Sequence, residues 1–207
     1  MEDRRREAIK TVAATAATLN SQILESMRDD YYAARIARRW MFDDAELRIA
    51  ERVAESYPVG THISEVGSGY GQLAMLLDRL GMDVSGTEPH RLRATMFSYL
   101  ERNIGFGGNV FLTQYPIMVQ GVRCGGEDVV VGSNLVNSWW QTWMPSRPEP
   151  ERIREFIGDA DAIFDLRCWW VLRETEEERR AVADDFEKAG YKASPITGST
   201  VWHFIKQ

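Results

Sequence analysis

The sequence predicts an α/β fold in which a mostly parallel seven-stranded sheet carries helices on both faces. Short apolar segments of strand length alternate with amphipathic helical segments from residue 62 to residue 190. A Gly-rich loop, residues 67–71, joins the first of these strands to a helix. Two strand-like segments at the C-terminus flank Thr197-Gly198, which is typical of an antiparallel hairpin. Strands that alternate with helices form parallel sheets, because each connection crosses over the sheet.

The first 60 residues predict a helical extension. In the first helix, apolar residues recur at spacings of three and four, which marks one buried face: Ile9, Val12, Ala16, Leu19, Ile23 and Met27. Asp29-Asp30 interrupts this pattern, and a short second helix follows around Tyr31 to Trp40. Asp43-Asp44 precedes a third helix, and Pro58 to Gly60 closes the segment. We expect residues 1–60 to form a cap and residues 61–207 to form the main domain.

The main domain divides into strands and helices by the same criteria. The predicted strands are 62–66, 82–87, 109–113, 128–132, 162–166 (with an extension toward 172), 191–195 and 200–205. The predicted helices are 72–80, 91–104, 149–157 and 175–189. Three of these helices end at a glycine, as helices commonly do: Gly81, Gly105 and Gly190.

Composition narrows the class of protein. The chain has 207 residues, of which 44% are hydrophobic and 27% charged, and a net charge of −6. These values fit a globular core, and the acidic balance disfavours a nucleic-acid partner, which usually requires a basic face. Cys124 and Cys168 form neither a metal-binding spacing nor a disulfide framework. The N-terminus lacks the apolar stretch of a secretion signal, and no apolar run is long enough for a membrane span. We therefore expect a cytoplasmic protein.

The loop after the first strand is the strongest functional motif. It reads Glu65-Val66-Gly67-Ser68-Gly69-Tyr70-Gly71 and precedes a helix whose first N–H groups lack intrahelical partners. Ligands of open parallel sheets bind beyond the carboxyl ends of the strands, where the strand order reverses. Glu88 follows the second strand, and a carboxylate at that place can accept both hydroxyl hydrogens of a ribose.

Strand, Glu-x-Gly-x-Gly-x-Gly, helix, strand and Glu together resemble the class I S-adenosylmethionine-dependent methyltransferases, whose fold is Rossmann-like. The resemblance covers about residue 61 to the C-terminus. It implies S-adenosylmethionine as cofactor. It also implies that Glu65 reaches toward the amino acid end of the cofactor, that the backbone of the glycine loop lies beside it, and that Glu88 holds the ribose. The implied binding residues of this loop and strand end are Glu65, Gly67, Ser68, Gly69, Gly71, Glu88 and Pro89.

Two other interpretations stay open. A nicotinamide dinucleotide site requires a glycine at the sixth position of the loop, where this chain has Gln72. That residue, together with the C-terminal hairpin, favours the methyltransferase over an NAD-type oxidoreductase. A protein of this fold that binds a ligand without catalysis is the second alternative.

The remaining site candidates follow later strands. In the resembled family a polar residue after the third strand hydrogen-bonds the adenine. Here the resemblance implies Gln114 for that hydrogen bond and Tyr115 for packing on the base. It also implies that the stretch after the fourth strand borders the reactive methyl group. There Asn134 and Asn137 are candidates to orient cofactor or acceptor, and the indoles of Trp139 and Trp140 are candidates to line the acceptor pocket.

The acceptor and its deprotonation are less well defined by the sequence. The Asn/Asp-Pro-Pro-aromatic tetrad of amino-directed nucleic-acid methyltransferases is absent after the fourth strand, as are the acids that bind a metal in catechol-type enzymes. We therefore expect no metal and an O or N atom of a small-molecule acceptor, and a homo-oligomer is compatible with the sequence. Tyr31, Tyr32, Asn134 and His90 are candidate catalytic residues, and Trp40 is a candidate for the acceptor pocket.

Overall fold

The computed structural model describes residues 2–28, 42–88, 91–112, 128–133, 150–166 and 175–207. The helices in these ranges are α1 (Glu2–Ser26), α2 (Asp44–Ser56), α3 (Gln72–Arg79), α4 (Arg91–Ile104), α5 (Pro150–Ile157) and α6 (Glu176–Lys188). The strands are β1 (His62–Val66), β2 (Asp83–Glu88), β3 (Asn109–Leu112), β4 (Val129–Gly132), β5 (Asp161–Asp165), β6 (Tyr191–Pro195) and β7 (Val201–Lys206). Among the described helices, none is long and apolar enough to cross a membrane.

The strands form one sheet in the order β3-β2-β1-β4-β5-β7-β6. Neighbours from β3 to β5 run parallel, whereas β7 lies antiparallel to both β5 and β6. The predicted mostly parallel α/β sheet is confirmed. The chain builds outward from β1 to β3 and then returns to place β4 on the other side of β1. The strand order therefore reverses between β1 and β4, and the connections after these two strands diverge at that point.

The core lies on both faces of the sheet, as the sequence pattern predicts. On one face α1, α2 and α3 pack with Ile63 of β1 and Val131 of β4 in a single apolar cluster. On the other face α5 and α6 pack with Phe164 of β5 and Phe204 of β7. Burial on both sides explains why β4 consists of consecutive valines rather than alternating polar and apolar residues.

Helix α1 confirms the predicted apolar face. Val12, Ala16, Leu19, Ile23 and Met27 are buried, and Ile9 is half-buried. Because α1 contributes to the same cluster as β1 and α3, the helical extension and the sheet share one core. The predicted second helix around Tyr31 to Trp40 lies outside the described residues.

Helix α2 begins where the acidic pair Asp43-Asp44 predicts. The Asp43 carboxylate accepts the backbone N–H of Glu46 at 2.9 Å, and the Glu46 carboxylate accepts the backbone N–H of Asp43 at 3.0 Å. This reciprocal capping box satisfies two of the N–H groups that a helix start leaves without partners. It also fixes the direction in which the chain enters α2.

Strand β5 differs slightly from the prediction, since it spans Asp161–Asp165 rather than beginning at Ala162 and including Leu166. Leu166 instead donates its N–H to the carbonyl of Thr200 in the connection between β6 and β7, at 3.1 Å. The suggested extension of this strand toward Leu172 lies outside the described residues.

Candidate functional site

The Gly-rich loop lies directly after β1, beside the reversal of strand order. Gly67, Gly69 and Gly71 have φ angles of 67°, 57° and 82°, a left-handed conformation that L side chains rarely adopt. The loop is held by backbone hydrogen bonds: Ser68 N–H donates to the Thr87 carbonyl at 2.8 Å, and Gly71 N–H donates to the Ser68 carbonyl at 2.7 Å. The alternating glycines thus allow a compact turn between β1 and α3.

The second and third glycines of this turn, Gly69 and Gly71, have different surroundings. A Cβ atom on Gly71 would overlap the ring of Phe97, a side chain of α4 that is only 2% exposed. Among the described residues, a Cβ on Gly69 would meet one atom within 4 Å, the Gly67 carbonyl oxygen at 4.0 Å. Gly71 is therefore required by internal packing, whereas the described residues leave the outer side of Gly69 open for the approach of a ligand.

Glu88 connects the end of β2 to this loop. The residue is 1% exposed, and its Oε2 accepts the backbone N–H of Gly69 at 2.7 Å. The parallel register pairs Val66 with Thr87, so Glu88 lies level with the first glycine of the loop. The predicted meeting of Glu88 and the glycines is thus present in the structure, and one carboxylate oxygen of Glu88 already binds the loop.

Glu65 is the most unusual side chain of the site. It is 3% exposed, and no donor among the described residues makes a hydrogen bond to its Oε2. Burial raises the pKa of Glu65 to about 8, with a further increase from the charge of Glu46. Hydrogen bonds from Ser68 and from the Ala74 backbone act in the opposite direction but are outweighed. A buried acceptor oxygen without a partner is costly unless a ligand supplies the donor.

Glu46 brings a second carboxylate to this region from the N-terminal extension. It occupies the first turn of α2 and is held there by the capping box with Asp43. Its charge disfavours the ionised form of Glu65 more strongly than that of Glu88 does. The sequence contains the capping signature, but it gives no indication that the start of α2 lies beside a loop about twenty residues later.

The predicted site residues thus fall into two groups. The structure brings together Glu65, Gly67, Ser68, Gly69, Gly71 and Glu88. Ser68 is buried, and its hydroxyl lies 3.4 Å from the Glu65 carbonyl and also hydrogen-bonds the Glu65 carboxyl group. The other candidates lie outside the described residues: Tyr31, Tyr32, Trp40, Pro89, His90, Gln114, Tyr115, Asn134, Asn137, Trp139 and Trp140.

His203 lies toward the amino ends of the parallel strands, away from the Gly-rich loop. Its Nε2 is 2.8 Å from the Tyr57 hydroxyl, which donates to Asp161 Oδ2 at 2.7 Å. Asp161 begins β5, whereas Glu65 and Glu88 lie at or next to the carboxyl ends of their strands. Burial lowers the pKa of His203 to about 4. A neutral histidine in this closed network supports the packing of α2 against β5 and β7 and lies apart from the loop.

Comparison with solved structures supplies the context for this geometry, although no protein-family model and no curated protein matches the sequence. Magnesium protoporphyrin IX methyltransferase from Synechocystis, with bound S-adenosylmethionine, is 12% identical with a TM-score of 0.57, covering 95% of this chain and 97% of its own. A TehB-like S-adenosylmethionine-dependent methyltransferase from Corynebacterium glutamicum is 16% identical with a TM-score of 0.54, covering 88% and 98%. The chain has the class I methyltransferase fold.

The N-terminal helices are included in this similarity. A mutant of MtNAS in complex with S-adenosylmethionine is 13% identical with a TM-score of 0.54, and the match covers 98% of this chain and 74% of that one. The neighbours that share the methyltransferase fold act on different acceptors, since they also include a ribosomal protein L11 methylase and a protein described as an RNA methyltransferase. The fold itself therefore leaves the acceptor class open.

Proposed function

We propose that this chain binds S-adenosylmethionine at the Glu65–Gly71 loop and transfers its methyl group to an O or N atom of a small-molecule acceptor. The observation that carries the proposal is the convergence of three left-handed glycines with two buried carboxylates where the strand order reverses. One of those carboxylates has an acceptor oxygen without a partner among the described residues.

The residues fit the parts of this cofactor. The open side of Gly69 admits a ligand close to the backbone, and Glu65 offers a buried acceptor to the cofactor's ammonium group. Glu88, anchored through one oxygen to the loop, can accept ribose hydroxyls. When bound, S-adenosylmethionine supplies an electrophilic methyl group: the acceptor forms the new C–O or C–N bond while the C–S bond breaks, releasing S-adenosylhomocysteine and a proton.

The alternative dinucleotide site is less compatible with the same loop. Its sixth position needs a glycine so that the helix can pack closely against the strand. Here Gln72 occupies that position as the first residue of α3, and it is buried. The positive end of α3 remains suited to an anionic group such as the cofactor's carboxylate.

The small-molecule acceptor is proposed from charge and sequence. A net charge of −6 disfavours a polyanionic acceptor, and residues 133–140 lack the prolines of the nucleic-acid tetrad. We assign the acceptor side to the residues after β4, namely Asn134, Asn137, Trp139 and Trp140, together with Tyr31, Tyr32 and Trp40 of the N-terminal 60 residues. We propose that residues 1–60 form a cap over the acceptor, with residues 61–207 as the cofactor-binding domain.

Calorimetric titration followed by a turnover assay tests the proposal. S-adenosylmethionine and S-adenosylhomocysteine should each bind with one-to-one stoichiometry, and NAD should not bind. Incubation with a methyl-labelled cofactor and panels of small-molecule, peptide and RNA acceptors should label only small molecules. Failure of both S-adenosyl compounds to bind at millimolar concentration would refute the cofactor assignment. Binding without label transfer to any panel would favour a binding protein of this fold, and NAD binding would favour the oxidoreductase.

A further inference from the structure

Among the described residues, none of the groups that act on the ionisation of the Glu65 carboxyl group is a cation. Four described groups influence the ionisation of Glu65: Ser68 in the loop, the Ala74 backbone in α3, Glu46 in α2 and Glu88 in β2. The last two carry negative charge, and the first two are hydrogen-bonding groups without charge. One oxygen of Glu65 remains without a donor among the described residues. An ionised carboxylate in such a place loses its hydration and is repelled by both neighbouring carboxylates.

The neighbouring carboxylates have fixed partners of their own. Glu88 is held by the Gly69 N–H and Glu46 by the Asp43 N–H, so both ionised forms receive hydrogen bonds. Glu65 also receives hydrogen bonds, from Ser68 and the Ala74 backbone, but its second oxygen has no donor among the described residues, and burial with two neighbouring negative charges favours its protonated form. This arrangement is consistent with the raised pKa of Glu65, about 8, which leaves the group largely protonated at neutral pH.

We propose that ligand binding at this loop is coupled to the release of one proton from Glu65, a neutral acid in the ligand-free protein that becomes a carboxylate beside the ligand's cationic amine. The inference rests on the proposed function and extends it. The O–H bond of the carboxyl group breaks, the proton goes to solvent, and the ammonium group keeps its own protons. The site consequently selects adenosine ligands that carry an amine and discriminates against those that lack one.

The experiment compares ligands that differ in this amine. S-adenosylhomocysteine has the amine but no sulfonium charge, and 5′-methylthioadenosine lacks the amino acid end. Calorimetry at pH 7 in two buffers of different ionisation enthalpy measures the protons released. S-adenosylhomocysteine should release about one proton, and its affinity should rise by up to about tenfold per unit between pH 6 and pH 8. 5′-Methylthioadenosine should release none.

Two variants test the source of the proton. Glu65→Gln should abolish proton release and weaken S-adenosylhomocysteine binding, while affinity for 5′-methylthioadenosine stays within about twofold of wild type. Glu46→Gln keeps a side chain that can complete the capping box but removes the charge beside Glu65. It should shift the pH profile of binding to lower pH, which a merely structural role would not do. Glu55→Gln, at the other end of α2 and paired with Arg52, serves as the matched control and should change neither.

The outcomes separate this inference from the proposed function. Tight S-adenosylhomocysteine binding with the same heat in both buffers would overturn the proton release and leave the cofactor assignment standing. Equal proton release by wild type and Glu65→Gln would also overturn it, because another group would then be the source. If no adenosine ligand binds, both proposals fail.

Discussion

Polar groups are buried in opposite ways at the two ends of the parallel strands, called the amino edge and the carboxyl edge of the sheet. At the amino edge, the Tyr57 hydroxyl bridges Asp161 and His203, and the Lys206 N–H donates to the second Asp161 oxygen at 2.8 Å. The network is closed by the protein's own groups. At the carboxyl edge, Glu65 keeps an oxygen without a donor among the described residues. Since unsatisfied buried acceptors are destabilising, the first arrangement serves stability and the second is suited to a ligand.

The same contrast extends to protonation. Burial lowers the pKa of His203 at the amino edge and raises the pKa of Glu65 at the carboxyl edge, so both groups are held in their uncharged forms. The Tyr57 pKa is raised as well, first by burial and then by its hydrogen bond to Asp161. At the amino edge, the uncharged form of His203 is maintained by partners within the protein. At the carboxyl edge, a bound cation can convert Glu65 to its ionised form.

Substitution at the carboxyl edge should produce the largest effect on binding. Glu88→Ala removes the acceptor for the ribose hydroxyls, and hydrogen bonds to a charged group contribute about 1.5–3 kcal/mol each. Loss of two such bonds predicts a roughly 100-fold or larger rise in the Kd for S-adenosylhomocysteine, measured by calorimetry. Because Glu88 also holds Gly69, a thermal melt should accompany the titration. An unchanged Kd in a folded variant would show that the ribose lies elsewhere.

Two glycine substitutions separate packing from ligand access within the loop. Gly71→Ala should lower the free energy of unfolding by about 2–3 kcal/mol, since its Cβ overlaps Phe97 and its φ is positive. Gly69→Ala should cost about 1–2 kcal/mol, because only the backbone strain applies. Denaturant titrations measure both values. The S-adenosylhomocysteine affinity of Gly69→Ala should nevertheless fall about tenfold, because a methyl group forced into a packed contact costs about 1–3 kcal/mol. Equal free energies of unfolding for Gly71→Ala and Gly69→Ala would contradict the difference in packing around the two glycines.

Substitution at the amino edge should change the stability of the fold and leave ligand affinity unchanged. Tyr57→Phe removes the hydroxyl that bridges Asp161 and His203, which should lower the free energy of unfolding by about 1–3 kcal/mol. The S-adenosylhomocysteine affinity should stay within error of wild type in calorimetry. A marked loss of affinity in this variant would indicate that the two edges are coupled.

The pH dependence of stability should have opposite signs for the two edges. Between pH 4 and 6.5, unfolded His203 binds more protons than the folded form, so its contribution to stability rises with pH. Between pH 4.5 and 8, folded Glu65 binds more protons than the unfolded form, so its contribution falls as pH rises. Denaturant titrations of ligand-free wild type and Glu65→Gln should diverge above pH 5, by at most about 1.4 kcal/mol per pH unit. Parallel profiles would mean that Glu65 ionises normally.

Local signals made much of the fold predictable. The Asp43-Asp44 pair marked the start of α2, the run of valines placed β4 to within a residue, and Gly105 marked the end of α4. The short apolar segment before the Gly-rich loop placed β1. The Glu-x-Gly-x-Gly-x-Gly loop and Glu88 likewise follow a pattern visible in sequence. These features depend on hydrophobic pattern, capping and turn conformation, which residues close in sequence determine.

Contacts between distant residues could not be predicted in this way. The sequence does not show that Phe97 fills the space beside Gly71, or that Glu46 lies near enough to oppose the charge of Glu65. Tyr57 and His203 are 146 positions apart and meet only in the folded sheet. The protonation of Glu65 depends on such contacts, because burial and neighbouring charges are properties of the tertiary structure.

Calorimetric titration of S-adenosylhomocysteine into the wild-type protein and Glu88→Ala, side by side, tests the central claim most directly. A one-to-one isotherm that is lost or weakened by about two orders of magnitude in a folded variant is the result predicted for a cofactor site at the Glu65–Gly71 loop. Absence of binding to the wild type, or equal binding to both proteins, would contradict it.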